Sequence, residues 1–221
     1  MKKLSLFVSV IYVIAAVLFT VTFSIGLPIY VRGFYFAQID TLELEELSGA
    51  DRSEIKEAYN ALMDYLVYPN AEFSTGVFKY SEEGKSHFED CKSLFSLNAS
   101  VLIASTVILL VTTALDKTKR LPLARRDLLA VAGGATLSTC TLFVLAIALD
   151  FERAFDIFHR LFFIGKDNWA FNPVTDEIIN VLPVGFFANC AALIGAGIIA
   201  ISLIFIVVGT VKKRKFHKVK F

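Results

Sequence analysis

Four stretches of this chain run for 22 residues or more without a charged side chain, at positions 4–25, 93–115, 128–149 and 178–211. A helix needs about 20 apolar residues to cross the hydrocarbon of a bilayer. Lipid offers no partner to backbone N–H and C=O groups, so each stretch must satisfy its own as a helix. Hydrophobic residues make up 56% of the chain, against about 45–50% in soluble domains. These features predict an α-helical polytopic membrane protein with four transmembrane helices and exclude a large soluble core. Pro183 stands near the start of the last apolar stretch, where its missing N–H costs nothing. The predicted crossing part there is therefore 183–210. The first apolar run exceeds a signal-peptide core and no A-x-A site follows it, so it reads as a retained anchor.

Charge sets the expected orientation. Thirteen of the 22 Lys and Arg residues fall in 1–26, 116–127 and 211–221, among them Arg125, Arg126 and the run Lys212, Lys213, Arg214, Lys215. Segments 27–92 and 150–182 hold the other nine, together with 19 of the 21 acidic residues. Basic residues stay on the cytoplasmic side. Both termini and the 116–127 loop are expected inside, and the 27–92 and 150–182 segments outside. The net charge of +1 conceals this division. No Gly-rich phosphate loop and no nucleic-acid motif is present. The three cysteines, Cys91, Cys140 and Cys190, form no C-x-x-C and no disulfide framework. Gly133, Gly134, Gly195 and Gly197 suit close helix packing.

The segment 27–92 is too long for a bare loop, and its patterns predict a small mixed α/β cap. Residues 29–39 are rich in aromatic and β-branched types, which favours a strand. Asp51 and Glu54 have capping-box spacing. Ile55, Ala58, Tyr59, Leu62, Met63 and Leu66 then share one helical face, until Pro69 and Asn70 stop it. Residues 73–80 read as strand or turn, Gly84 as a break, and Ser86 as the start of the helix that becomes the second span.

Two of the three histidines lie in the outer segments. His87 shares a helical face with Asp90 and Cys91, three and four residues on. Residues 150–163 carry a continuous apolar stripe through Phe151, Ala154, Phe155, Phe158, Leu161 and Phe162, with Glu152, Asp156 and His159 on the other side. That segment suits an interfacial helix. Each histidine has an aspartate three residues away, Asp90 and Asp156, able to hold an imidazole in one orientation. Imidazoles placed where lipid meets water point to proton transfer on a lipid headgroup or a lipid-linked substrate. Arg153 and Arg160 suit an anionic headgroup, a developing oxyanion or simple snorkelling. Trp169 suits the headgroup level. His217, in the tail KKRKFHKVK, suits a solvated or lipid-phosphate role. Cys91 beside His87 raises a thiol nucleophile, set against cysteine as a small core residue. A metal site from His87, Glu89, Asp90 and His159 lacks any H-E-x-x-H support.

The strings that carry these residues resemble a known family. They are ERAFDIFHRLFF at 152–163, then Asn168-Trp169, Phe171-x-Pro173, Asp176-x-Ile178-Ile179 and Leu182-Pro183-x-x-Phe186-Phe187. Upstream stands YSEEGKSH at 80–87, followed by Asp90, Lys92, Leu94 and Phe95. Together with the four-span layout they resemble the bacterial lipoprotein intramolecular transacylases over nearly the whole chain. The family pattern has an aliphatic residue where Cys91 stands, which weakens the thiol reading.

The resemblance implies an acyltransferase of Gram-positive bacteria, acting at the outer face of the cytoplasmic membrane. Its substrate would be a diacylated lipoprotein whose N-terminal cysteine carries an S-diacylglyceryl group. The sn-2 acyl chain would move to the α-amine of that cysteine, giving the lyso form. Donor and acceptor share one molecule, so no cofactor and no metal is implied; the oligomeric state stays open, with a monomer among the options. His87 and His159 would be catalytic, with His87 the favoured base, and Asp90, Asp156, Glu152, Arg153 and Trp169 supporting. Two other readings stay open: a membrane hydrolase or metalloprotease, which a chelator would inhibit, and a non-catalytic tetraspan scaffold, which would tolerate loss of either histidine.

Overall fold

The computed structural model describes residues 2–125 and 127–218. Four long helices dominate: α1 Lys2–Tyr30, α5 Glu82–Lys117, α6 Leu128–Leu149 and α8 Val184–Lys218. Between them lie α2 Arg32–Phe36, α3 Leu44–Ser48, α4 Arg52–Val67, α7 Phe151–Phe162 and a 3₁₀ turn, Glu177–Val181. Three of the long helices are apolar and long enough to cross a membrane, and the apolar stretch Leu128–Thr141 of α6 is shorter. The protein is thus an all-helical, multi-pass integral membrane protein with three to four apolar helices. The side chains of the expected basic tail, of His217 and of Arg126 lie outside the described residues.

The chain divides into two compact units. The first comprises Met1–Gly26, Asn98–Leu145 and Leu193–Phe221. Here α6 and α8 approach closely. A Cβ on Gly133 would meet Ser202 and Ile206, and one on Gly209 would meet the backbone of Ala130. Gly134 faces open space, so only one glycine of the pair serves packing. Asn98 donates to the Thr22 carbonyl at 3.2 Å, a hydrogen bond between apolar helices.

The second unit, Leu27–Leu97 and Ala146–Ala192, corrects the expected α/β cap. Among the described residues there is no strand. Residues 29–39 lie in the end of α1, in α2 and in the turn after it. Their aromatic content serves packing: Tyr35 is fully buried. It lies flat on Tyr59, with centroids 3.7 Å apart, and donates to the Val181 carbonyl at 2.7 Å. A strand would need a partner edge for its ladder, and the fold supplies helices instead. Residues 73–80 form a turn in which Thr75 donates to the Phe78 carbonyl at 2.6 Å. Gly76, at φ +61°, packs on Ala58 there.

Other expectations hold. Asp51 and Glu54 form a reciprocal capping box at the start of α4. The predicted face, from Ile55 to Leu66, is buried. Gly84 is not a break, because α5 already begins at Glu82. Ser81 caps that helix, its Oγ accepting from the Gly84 N–H at 3.0 Å.

Candidate active site

The second unit brings His87 and His159 together. His87 lies one turn into α5 and His159 near the end of α7, with ring centroids 5.8 Å apart. Both are buried, at 5% and 7% exposure. Phe163 and Phe171 present edge contacts to His87 at 4.7 and 5.4 Å. Trp169 stacks on His159 at 4.9 Å, and Phe155 contacts the same ring at 4.2 Å. Trp169, assigned from sequence to the headgroup level, therefore covers a site imidazole. Its indole donates to the Lys166 carbonyl at 3.1 Å.

Each imidazole is held differently. The Nδ1–H of His159 donates to the Phe155 carbonyl at 2.7 Å. A carbonyl only accepts, so the proton of the neutral ring sits on Nδ1 and the lone pair on Nε2. Burial pushes the His159 pKa below the ordinary histidine value, against the opposing pull of this hydrogen bond and of Asp156. For His87, Nε2 lies 3.4 Å from Cys91 Sγ, and the buried Nδ1 has no hydrogen-bonding partner.

The supporting residues divide. Asp90 is engaged by Lys166 at 2.6 Å and Asn168 at 3.2 Å, not by His87. Asp156 pairs with Arg160 at 2.8 Å and acts on His159 only through its charge. Glu152 and Arg153 stay exposed on α7 and are not brought to the pair. His159 sits at the border of the apolar arc of that helix. Ile157, Phe158, Leu161 and Phe162 on that arc are 45–64% exposed. Among the described residues no three His, Cys, Asp or Glu side chains converge, so the metalloprotease reading gains no ligand set.

A seam that sequence reasoning missed fixes the loop over the site. The Asp176 carboxylate accepts from the Ser81 N–H at 2.8 Å and the Ser81 hydroxyl at 2.7 Å. Next to it, the Glu177 N–H donates to the Lys79 carbonyl at 3.0 Å, the Lys79 N–H returns a bond to the Glu177 carboxylate at 3.0 Å, and Lys79 Nζ adds another at 2.8 Å. Burial alone would raise the Asp176 pKa. The bonds from Ser81, Thr175 and the Asn172 backbone outweigh it and hold the carboxyl below the usual range. Glu177 is also lowered, by its hydrogen bonds from Lys79. Gly84 makes the seam possible, because a Cβ there would overlap Asp176 Oδ1 and crowd Phe171. The signal in the sequence was Ser81 directly before Glu82 and Glu83, a helix-start pattern.

The fold and site define a class: a polytopic membrane protein with a buried imidazole pair equipped for proton transfer. A family model for the lipoprotein intramolecular transacylase Lit matches residues 10–187. The chain belongs to that family, membrane acyltransferases that modify lipoproteins. It is similar to the solved structure of the membrane integral lipoprotein intramolecular transacylase Lit from Bacillus cereus. The TM-score is 0.90 and the identity 23%, over 99% of this chain and 100% of that one. Structures of two variants of the same Bacillus cereus protein, with one histidine replaced by Arg or by Ala, match with TM-score 0.81 at 23% identity. They cover 96% of this chain and 93% and 94% of theirs. A search of curated proteins finds no match.

Proposed function

We propose that the chain moves the sn-2 acyl group of an S-diacylglyceryl-cysteine lipoprotein onto the α-amine of the same cysteine, with His87 and His159 as the catalytic pair. The observation that carries this reading is the 5.8 Å separation of two buried imidazoles. In the step, the amine nitrogen bonds to the ester carbon and one N–H proton passes to an imidazole. The ester C–O bond then breaks, and the glycerol oxygen receives that proton. Burial holds the His159 pKa below the ordinary histidine value, so its ring is neutral near neutral pH and able to take the proton of an attacking amine. Holding donor and acceptor in one molecule supplies much of the barrier reduction, on the order of 7–11 kcal/mol in well-oriented systems.

His159 is the better base. Its tautomer presents a free Nε2 lone pair, and its imidazolium keeps one N–H bonded to Phe155. An imidazolium at His87 would bury an N–H with no acceptor, at a desolvation cost. His87 then meets the developing oxyanion or the leaving oxygen. This reverses the order favoured from sequence. Asp90 holds the loop that covers the pair and acts on His87 through its charge alone, Asp156 tunes His159, and Glu152 and Arg153 face headgroups. The exposed apolar arc of α7 suits the membrane interface, and the excess of basic residues in the terminal segments and the 116–127 loop supports cytoplasmic termini and a site that opens outside.

The test is expression in a bacterium whose lipoproteins are only diacylated, with tandem mass spectrometry of the N-terminal lipopeptide. An N-acyl, monoacylglyceryl peptide is expected, and it should vanish in His87→Ala and in His159→Ala. A diacylglyceryl peptide with an unmodified amine from the wild type would remove the reading.

A further inference from the structure

Asn168 sits beside the histidine pair with half of its amide unused. Its Nδ2 donates to Asp90 Oδ2 at 3.2 Å and to Ser86 Oγ at 3.4 Å. The Asp90 carboxylate only accepts, so the amide cannot turn over without setting oxygen against oxygen. Its Oδ1 is buried and has no hydrogen-bonding partner. A buried acceptor left unpaired costs stability, and such atoms in a folded protein call for a reason. Ser86 and Asp90 form the ridge of α5 next to His87, and the following residue, Trp169, stacks on His159. Asn168 thus stands between residues that flank both imidazoles.

The proposed transfer creates a demand for such an atom. An amine that attacks an ester gives up one proton to the base. The hydrogen left on nitrogen becomes the amide N–H of the product. In a site shielded from water that hydrogen needs an acceptor of its own. The acceptor must not be basic, because a carboxylate or a second imidazole would hold the ammonium and suppress attack. A primary amide oxygen meets both conditions.

Resting on the transacylase reading, we propose that Asn168 binds the acyl-acceptor amine, its Oδ1 accepting the N–H that does not leave. The bond aims the nitrogen lone pair at the ester, while Asp90 and Ser86 keep the amide in place. Asn168 also excludes water from the position of the attacking atom, so it sets the ratio of transfer to hydrolysis. Hydrolysis here means that a water oxygen bonds to the ester carbon and the acyl group leaves as free fatty acid, with the amine unmodified.

The experiment pairs a residue with a substrate atom. Full-length wild type and Asn168→Ala are assayed in mixed micelles with a synthetic diacylglyceryl-cysteinyl peptide, and with the same peptide N-methylated on the cysteine amine. Attack by the methylated amine leaves no N–H for Asn168 to accept. The Ala variant should lose roughly ten-fold in N-acyl product on the primary amine, the size of one hydrogen bond. It should lose little on the methylated substrate, and release a larger share of fatty acid. An equal loss on both substrates marks Asn168 as merely structural and overturns the proposal, as does no loss on either. If methylation stops the wild type outright, the fatty-acid share on the primary amine decides, and an unchanged share overturns it. Failure of the transacylase reading would show separately, as absence of N-acyl product from the wild type.

Discussion

The Asp176 carboxylate occupies the space that a Cβ on residue 84 would need. Gly84 is therefore the condition on which the 81–176 seam closes, and the seam holds Phe171 against His87. Gly84→Ala should lower stability by about 1–3 kcal/mol, the usual cost of overpacking, and should reduce acyl transfer with it. Gly134→Ala is the internal control, because that glycine is helical and meets nothing within 4 Å. It should be stabilising by about 0.5–1 kcal/mol. Thermal unfolding of the two detergent-solubilised variants should move in opposite directions.

Asp176 also gives stability a pH dependence. Its folded pKa is depressed, so its contribution is complete above the unfolded aspartate value of about 3.9. It is lost as pH falls through the lower folded value. Asp176→Asn should cost about 1.5–3 kcal/mol at neutral pH. Its stability curve should converge on that of the wild type in acid. Parallel curves down to acid pH would show that the carboxylate charge is not what the seam uses.

For His159, burial favours the neutral ring and Asp156 favours the charged one. The titration midpoint of His159, followed by NMR in the His87→Ala background, should lie below about 6.5. Asp156→Asn should lower it further, since the variant removes a stabiliser of the imidazolium. ¹⁵N shifts should report the Nδ1–H tautomer. A midpoint that rises in Asp156→Asn would contradict this electrostatic assignment.

Trp169 stacks on His159, the proposed base. Trp169→Ala removes a ring contact of about 0.5–1.5 kcal/mol. It should speed diethylpyrocarbonate modification of His159 several-fold while slowing acyl transfer. Unchanged modification kinetics would mean that the indole is not the cover.

Cys91 touches His87 through sulfur, yet the proposed transfer needs no thiol. Cys91→Ala should retain activity to within about three-fold, the effect of a weak contact. Complete loss, with a trapped thioester in the wild type, would restore the thiol nucleophile.

How legible this protein was depends on the range of each interaction. The long helices and the start of α4 were readable because their causes are local. Lipid forbids unpaired backbone, so an uncharged stretch must be a helix, and Asp51 and Glu54 cap within four residues. Residues 29–39 misled because aromatic and β-branched types fit any packed surface. Whether a strand forms depends on a partner edge that the local pattern does not reveal.

The sequence by itself determined where the apolar helices run, how charge divides along the chain, and which two histidines stand in the family's motifs. The tertiary structure decided that those histidines meet, which tautomer His159 holds, and that Asp90 grips Lys166 and Asn168 instead of an imidazole. It also decided that Asp176 bonds to Ser81, 95 residues away in the chain, in the space that Gly84 leaves open. Burial and hydrogen bonding between distant segments follow from how the whole chain packs, and no short window of sequence contains both partners.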